Sequence, residues 1–457
     1  MIPETLPGTI AALMPEVRAN LERLVRIPSV SFPGFDPAEV RRSADATSQI
    51  LDGVGMQTQI LEVEGAHPAV LGRLPGPDGA PTVLLYAHHD VQPQGPRELW
   101  SSDPFEPVER EGRLYGRGSA DDKSGIVMHA AAIRAWDGRP PVGVTVFVEG
   151  EEESSSAHLP EFLSRYRDRL HADAVILADS GNWRTGEPAI TTSLRGIVAV
   201  VVEVRTLDHA VHSGEYGGAI PDALTVLIKT LSTLHDPEGQ VAVPGLVSGS
   251  AEPLDLTEEE LRVWAGVRPN VKLIGEGSLT SRMWTRPAIS ILGIDAPGVQ
   301  EASNQLVPSA RAKVSMRIPP GQDAAEAQAA LIKHLEANVP WGADATITPE
   351  ASGSPYELKA EGPAFDSIRR AMSEAFGRAP VDMGAGGSIP FLAAFAGTHP
   401  DAALLLTGAM DPRSNAHSED ESVDLGDLEK SCLAEALFLG YLAEAAATSY
   451  SSSSPVS

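Results

Sequence analysis

The chain is 457 residues long, 42% hydrophobic and 21% charged, which is ordinary globular usage and enough chain for roughly two or three domains. A single small module and a globally disordered chain are both excluded. With 35 Lys and Arg against 62 Asp and Glu the net charge is −27, a field that repels phosphate backbones and anionic lipid surfaces, so neither nucleic acid nor membrane is expected as a partner. Cys432 is the only cysteine, so no intramolecular disulfide or Cys-rich zinc cluster can form, and any metal must be held by His and carboxylate. The N-terminus has no basic stretch and no apolar run reaches the length of a membrane span, which predicts a soluble cytoplasmic protein.

Ile10, Leu13, Met14, Val17, Leu21, Leu24 and Val25 recur at helical spacing and stop at Pro28, predicting an opening amphipathic helix. Short runs rich in Val, Ile and Leu at 82–86, 142–148 and 174–178 read as buried strands, each followed within two residues by a polar or acidic one. The small, apolar stretch 125–136 reads as a crossover helix, and strands alternating with helices predict an α/β sheet. In such sheets, sites collect at the carboxyl ends of strands. Near residue 192 the character changes. Strands are predicted at 197–204, 288–294, 311–318 and 345–348, and helices at 222–234 and 324–335. That set suits a four-stranded antiparallel sheet with two helices, inserted into the larger domain. Beyond 353–355 the first architecture resumes with a helix at 364–376, a strand at 402–406 and a helix at 425–447, and the tail 451–454 is expected to be disordered.

Several predicted strands end in His or carboxylate. The first runs into His88-His89-Asp90, where alternation places His88 and Asp90 on one face. Tyr115-Gly116-Arg117-Gly118-Ser119-Ala120-Asp121-Asp122-Lys123 has neither the third Gly of a dinucleotide fingerprint nor a Gly-Lys-Ser/Thr, and its two aspartates oppose phosphate. Glu149-Gly150-Glu151-Glu152-Glu153-Ser154 concentrates like charges that survive burial only with compensating cations, protons or donors. Asp179 ends another strand, and Asn415-Ala416-His417-Ser418 follows the last. Each motif alone has a bland reading as a helix cap, a solvated loop or a surface histidine. Together, His88, Asp121, Glu152, Glu153, Asp179 and His417 exceed one tetrahedral shell and suit two divalent ions sharing a carboxylate, with one carboxylate spare as general base. No Gly-x-Ser-x-Gly elbow occurs, which removes a serine hydrolase.

The order His-x-Asp, Gly-Arg-Gly-x-x-Asp-Asp-Lys, Glu-Gly-x-Glu-Glu-Ser, a lone Asp, His-Ser-Gly-x-Tyr-Gly-Gly, Gly-Gly-Ser-Ile-Pro and Ala-His-Ser, spanning residues 86–419, resembles the di-zinc metallopeptidases that include carnosinase and cytosolic nonspecific dipeptidase. Their relatives include aminoacylase, acetylornithine deacetylase, succinyl-diaminopimelate desuccinylase and glutamate carboxypeptidase. The resemblance implies a catalytic α/β domain at 1–191 and 354–457, with a mixed, mostly parallel sheet flanked by helices, and an α+β lid and dimerisation domain at 192–353. It implies that His88, Asp121 and Asp179 hold one metal and Asp121, Glu153 and His417 the other, with Asp121 bridging and Asp90 orienting His88. Two ions per subunit are expected, Zn²⁺ foremost, with Mn²⁺ or Co²⁺ as substitutes. In Glu-Glu-Ser the first glutamate, Glu152, matches the general base and Glu153 the ligand. His212 resembles a histidine given across a homodimer to polarise the substrate carbonyl, Arg317 the residue that grips the free carboxylate, and Asn304, Gly387 and Ser388 the pocket lining. His89 and Ser124 depart from the usual pattern. The implied activity is hydrolysis of dipeptides or short peptides by a di-metal-activated water. An N-acyl-amino-acid deacylase is the alternative within hydrolases, and a catalytically silent metal-binding scaffold the alternative outside them.

Overall fold

In a computed structural model, residues 2–387 and 389–452 are described. The chain divides into two compact units. The first comprises Met1–Thr192, Leu358–Met383 and Ile389–Ser457, the second Ser193–Glu357 and Gly384–Ser388.

The first unit is built on a mixed sheet with strands in the order Gln57–Leu61, Ala69–Leu74, Gly143–Glu149, Thr82–His88, Ala174–Leu177, Ala403–Leu406 and Ala189–Leu194. The central pairs are parallel and the flanking pairs antiparallel. The central strands are buried on both faces, as parallel strands covered by helices must be. Side chains alternate along Thr82–His88. Val83, Leu85 and Ala87 join a core with Leu21 and Leu24 of the helix Leu6–Val25, Ile126 and Ile133 of Lys123–Arg134, Ile368 of Pro363–Phe376 and Leu437 of Leu425–Ser452. On the opposite face Tyr86 stacks on Phe391 at 4.0 Å between centroids, and His88 follows Tyr86 on that face. The parallel register aligns His88 with Glu149 and Tyr86 with Leu177. Three strands therefore deliver their next residues, 88–90, 150–153 and 178–179, to one carboxyl edge.

The second unit is a four-stranded antiparallel sheet in the order Ala288–Asp295, Ser309–Ile318, Gly196–Arg205, Asp344–Gly353. Val198, Val200, Val202 and Val204, two residues apart, pack against Val226 and Leu227 of the helix Ala223–Ser232 and Leu331 and Leu335 of Ala324–Ala337. Among the described residues three short α-helices, Ser213–Tyr216, Glu258–Trp264 and Leu279–Trp284, add to the expected pair.

The structure also adds elements to the first unit. Asp36 caps the helix Pro37–Gly53 by accepting from the Ala38 N–H. The hairpin Gln57–Leu61/Ala69–Leu74 precedes the parallel strands, and Pro390–Thr398 carries Phe391. The tail departs from expectation, since the last helix runs on to Ser452; residues 453 and 454 lie outside the described residues. No described helix is long and apolar enough to cross a membrane.

One ion pair ties the strand Arg113–Tyr115 to the loop after Ala403–Leu406. Arg113 makes a two-pronged bond to Asp411, at 2.7 and 2.9 Å, with side-chain exposures of 2% and 0%. Burial alone would raise the Asp411 pKa, but Arg113 overrides it and holds the carboxyl below its ordinary value. Asp411→Asn would leave the buried guanidinium with only the more distant Asp424, at 3.7 Å, as counter-charge and is expected to cost about 3 kcal/mol at neutral pH, read as a lower urea midpoint. Because the folded pKa is depressed, the contribution is complete above the unfolded carboxylate value of about 3.9 and is lost as pH falls through the folded one, so wild type and variant should converge in acid.

Candidate metal centre

At the carboxyl edge of the first unit's sheet the predicted ligands meet. The His88 ring is fully buried. Its Nδ1 lies 3.1 Å from the Asp90 carbonyl and 3.5 Å from Asp90 Oδ1, and its Nε2 lies 3.0 Å from Asp121 Oδ1. The second oxygen of Asp121 faces the other way, 3.1 Å from His417 Nε2, which is also 3.2 Å from Glu153 Oε2. One donor atom each from His88, Asp121 and Glu153 lie within 4.8 Å of one another, and so do one each from His88, Glu152 and Asp179. Asp90, itself buried, does more than face His88. It accepts from the N–H of Glu152 at 3.2 Å, the N–H of Glu153 at 3.1 Å and the Ser31 hydroxyl at 2.7 Å, which fixes the backbone from which both glutamates project.

The charges are not balanced by the protein alone. Burial, reinforced by Asp121, raises the Asp179 pKa well above normal; burial, reinforced by Asp179, does the same for Glu152. Glu153 is raised by burial and by Asp121. His417, on a loop with φ of +63°, is held up at about 11 by its bonds to Asp121 and Glu153. Protons thus stand where cations could. Two imidazoles with four carboxylates form a donor set of the kind that zinc and manganese take, and the residues present fit such ions.

The three consecutive glutamates separate by their partners. Glu151 accepts from the His158 N–H at 2.7 Å and lies 3.0 Å from its ring, which makes it a structural acid. Gly150 is required because a Cβ there would come within 2.4 Å of the Pro68 carbonyl and 2.9 Å of the His89 ring. His89 points away from the ligand cluster: its Nε2 lies 2.8 Å from the Pro68 carbonyl, and burial pushes its pKa down to about 4. Residues that the sequence motifs did not single out also support the ligands: Ser31 bonds Asp90, and Gln92 donates to Glu153 Oε2 at 2.7 Å. Lys123, the last residue of the Asp-Asp-Lys motif, donates to the carbonyls of Leu24 and Ile27 at 2.9 and 2.8 Å and so ties the loop to the first helix. No local pattern marks Ser31 or Gln92, because each acts through a fold contact.

His212, Asn304, Arg317 and Gly387 belong to the second unit. His212 pairs with Gln305 across a two-residue ladder, and the neighbouring Ser213 N–H donates to the Asn304 carbonyl at 3.1 Å. The exposed His212 ring accepts from the Gly214 N–H at its Nδ1, which leaves the neutral ring's proton on Nε2. Arg317 ends the strand Ser309–Ile318, half-buried, opposite Ile197 and Ala288, and burial lowers its pKa. Ser388 lies outside the described residues.

The chain belongs to the peptidase family M20/M25/M40, which it matches over residues 84–439. It is a hydrolase of the metallopeptidase class. Over 436 residues it is 33% identical to a cysteinylglycine-S-conjugate dipeptidase from Corynebacterium striatum, covering 92% of this chain and 95% of that one. It is 27% identical to a Beta-Ala-His dipeptidase from Rattus norvegicus over 90% of this chain and 85% of the relative. Its fold matches the dipeptidase Dug1p from Saccharomyces cerevisiae, with a TM-score of 0.84, 24% identity and coverage of 96% and 98%. Human carnosine dipeptidase 1 matches with the same TM-score and identity over 97% and 100%.

The two adjacent histidines provide a direct test. His88→Asn is expected to weaken divalent-metal binding by more than about tenfold. His89→Asn, which alters a ring bonded to a backbone carbonyl, should leave the metal content of the purified protein unchanged, as measured by plasma mass spectrometry.

Proposed function

We propose that this protein is a dipeptidase that hydrolyses the peptide bond of dipeptides and short peptides with two divalent metal ions in each subunit, Zn²⁺ foremost. The observation that carries the proposal is the Asp121 carboxylate, with one oxygen against His88 and the other against His417, beside Glu152 and Glu153. A carboxylate presented to two sets of donors is what a pair of ions sharing one ligand requires. The names of the similar proteins, a cysteinylglycine-S-conjugate dipeptidase and a Beta-Ala-His dipeptidase, support dipeptides as the substrate class.

In this reading His88, Asp121 and Asp179 hold one ion and Asp121, Glu153 and His417 the other. When bound, such ions supply Lewis acidity toward the scissile carbonyl and make water acidic enough to ionise near neutrality. Asp90 holds His88 in orientation and keeps the 152–153 backbone in place. Glu152 receives a proton from the attacking water and passes it to the leaving amine. His212, with its proton on Nε2, donates to the oxyanion, and Arg317 grips the free carboxylate of the substrate, with Asn304 and Gly387 as further substrate-binding residues. His212 is given across a homodimer, and the second unit is the lid and dimerisation domain.

Glu152→Gln is expected to lower kcat by about 10²–10⁴ while metal content stays at the wild-type level. Parallel loss of metal and turnover would remove Glu152 from the role of base. A panel of dipeptides and N-acetyl amino acids, assayed for released amine before and after chelation, separates the alternatives: dipeptide cleavage lost with chelator and restored by Zn²⁺ or Mn²⁺ is the expected result, and preferential N-acetyl cleavage would replace it with a deacylase. If His212 acts across a two-fold dimer, mixing inactive His212→Ala with inactive Glu152→Gln protein should restore about a quarter of wild-type activity after subunit exchange, since each mixed dimer holds one intact site.

A further inference from the structure

The loop that carries Asp121 is held by a single buried acid that no motif named. Glu421 is fully buried. Its Oε1 accepts from the backbone N–H groups of Ala120 and Asp121, both at 3.0 Å, and its Oε2 accepts from the N–H of Gly118 at 3.0 Å and from Arg117 Nη1 at 2.7 Å. Its own carbonyl accepts from the Gly116 N–H at 2.9 Å. Buried N–H groups in a turn require partners, and here one side chain satisfies three of them. The turn is tight: Gly118 has φ of +80°, and a Cβ there would come within 2.6 Å of Val91 Cγ1. All four bonds to the carboxylate come from donors, and Arg117 neutralises it within the same cluster. Glu421 is therefore engaged as an acceptor on both oxygens, four residues beyond His417.

We propose that Glu421 is a positioning residue of the metal centre, gripping the 118–121 backbone so that the two oxygens of Asp121 face His88 and His417 simultaneously. The inference rests on the metal-dependent reading of the site. It differs from a general stabilising role in what it controls. The Asp121 N–H is held by Glu421 at one end of the residue while its carboxylate is aimed at the other, and His417 reaches the same carboxylate from Glu421's own loop. A partner that orients a ligand in this way typically contributes about 10- to 100-fold in metal affinity or activity.

The test is calorimetric titration of the metal-stripped full-length protein with Zn²⁺, alongside thermal unfolding of the same metal-free samples and dipeptide kinetics. Glu421→Gln turns an amide N–H toward backbone donors and is expected to weaken Zn²⁺ binding by about 10- to 100-fold and to lower kcat, with KM within about twofold of wild type. Glu421→Asp keeps the charge but retracts it by one methylene, and an intermediate loss is expected. Zn²⁺ affinity within about twofold of wild type in both variants would overturn the proposal, as would loss of the metal-free fold in both, since the role would then be structural only. If Glu421→Gln alone fails to fold, Glu421→Asp decides. Wild-type protein that binds no divalent ion would instead bring down the metal reading itself.

Discussion

Four carboxylates, from Asp121, Glu152, Glu153 and Asp179, are crowded with His88 at one edge of a sheet and largely removed from water. In so low a dielectric they cannot all ionise without compensating positive charge. The surrounding fold is arranged around that constraint. Parallel register brings three strand ends together, Tyr86 and Phe391 are buried behind them, and Asp90 and Glu421 accept from the backbone N–H groups of the loops that carry the site carboxylates. The chain thus presents clustered acidity where a cation can use it, in a molecule whose overall charge of −27 already favours cations.

Much of the architecture was legible because its signals are local. Runs rich in Val, Ile and Leu at 82–86, 142–148 and 174–178 suit strands buried on both faces, and the β-branched run at 197–204 suits a strand whose alternate valines, Val198, Val200, Val202 and Val204, face a covering layer. The helix Pro37–Gly53 and the hairpin that follows it were less visible. Gln57–Leu61 alternates exposed and half-buried residues with little apolar contrast, and Ser43, Ala44 and Thr47 fill the buried side of the helix with small or polar groups. The disorder expected from a serine-rich tail also gives way in part, because helix propagation carries the last helix to Ser452.

At the site, motifs marked the residues that carry charge, and the structure shows why their neighbours differ. Consecutive residues of one type have no distinguishing pattern in sequence. His88 and His89 separate only because strand alternation sends one toward Asp121 and the other to the Pro68 carbonyl, and Glu151 separates from Glu152 because His158 captures it. Ser31, Gln92 and Glu421 were invisible for a different reason. Their contribution lies in contacts made across long stretches of chain, and nothing in a Ser, Gln or Glu taken singly marks that.

The bond from the Asp121 N–H to Glu421 spans 300 positions of sequence, with the whole second unit encoded in between. During synthesis at about 5–20 residues per second, the segment carrying His88, Asp121 and the glutamates therefore waits roughly 15–60 s before the segment bearing His417 and Glu421 leaves the ribosome. Until then the acids have neither their second histidine nor the clamp on their loop. In the proposed two-ion reading the set His88, Asp121 and Asp179 is therefore synthesised first, whereas the set Asp121, Glu153 and His417 lacks its histidine until the inserted unit has been made.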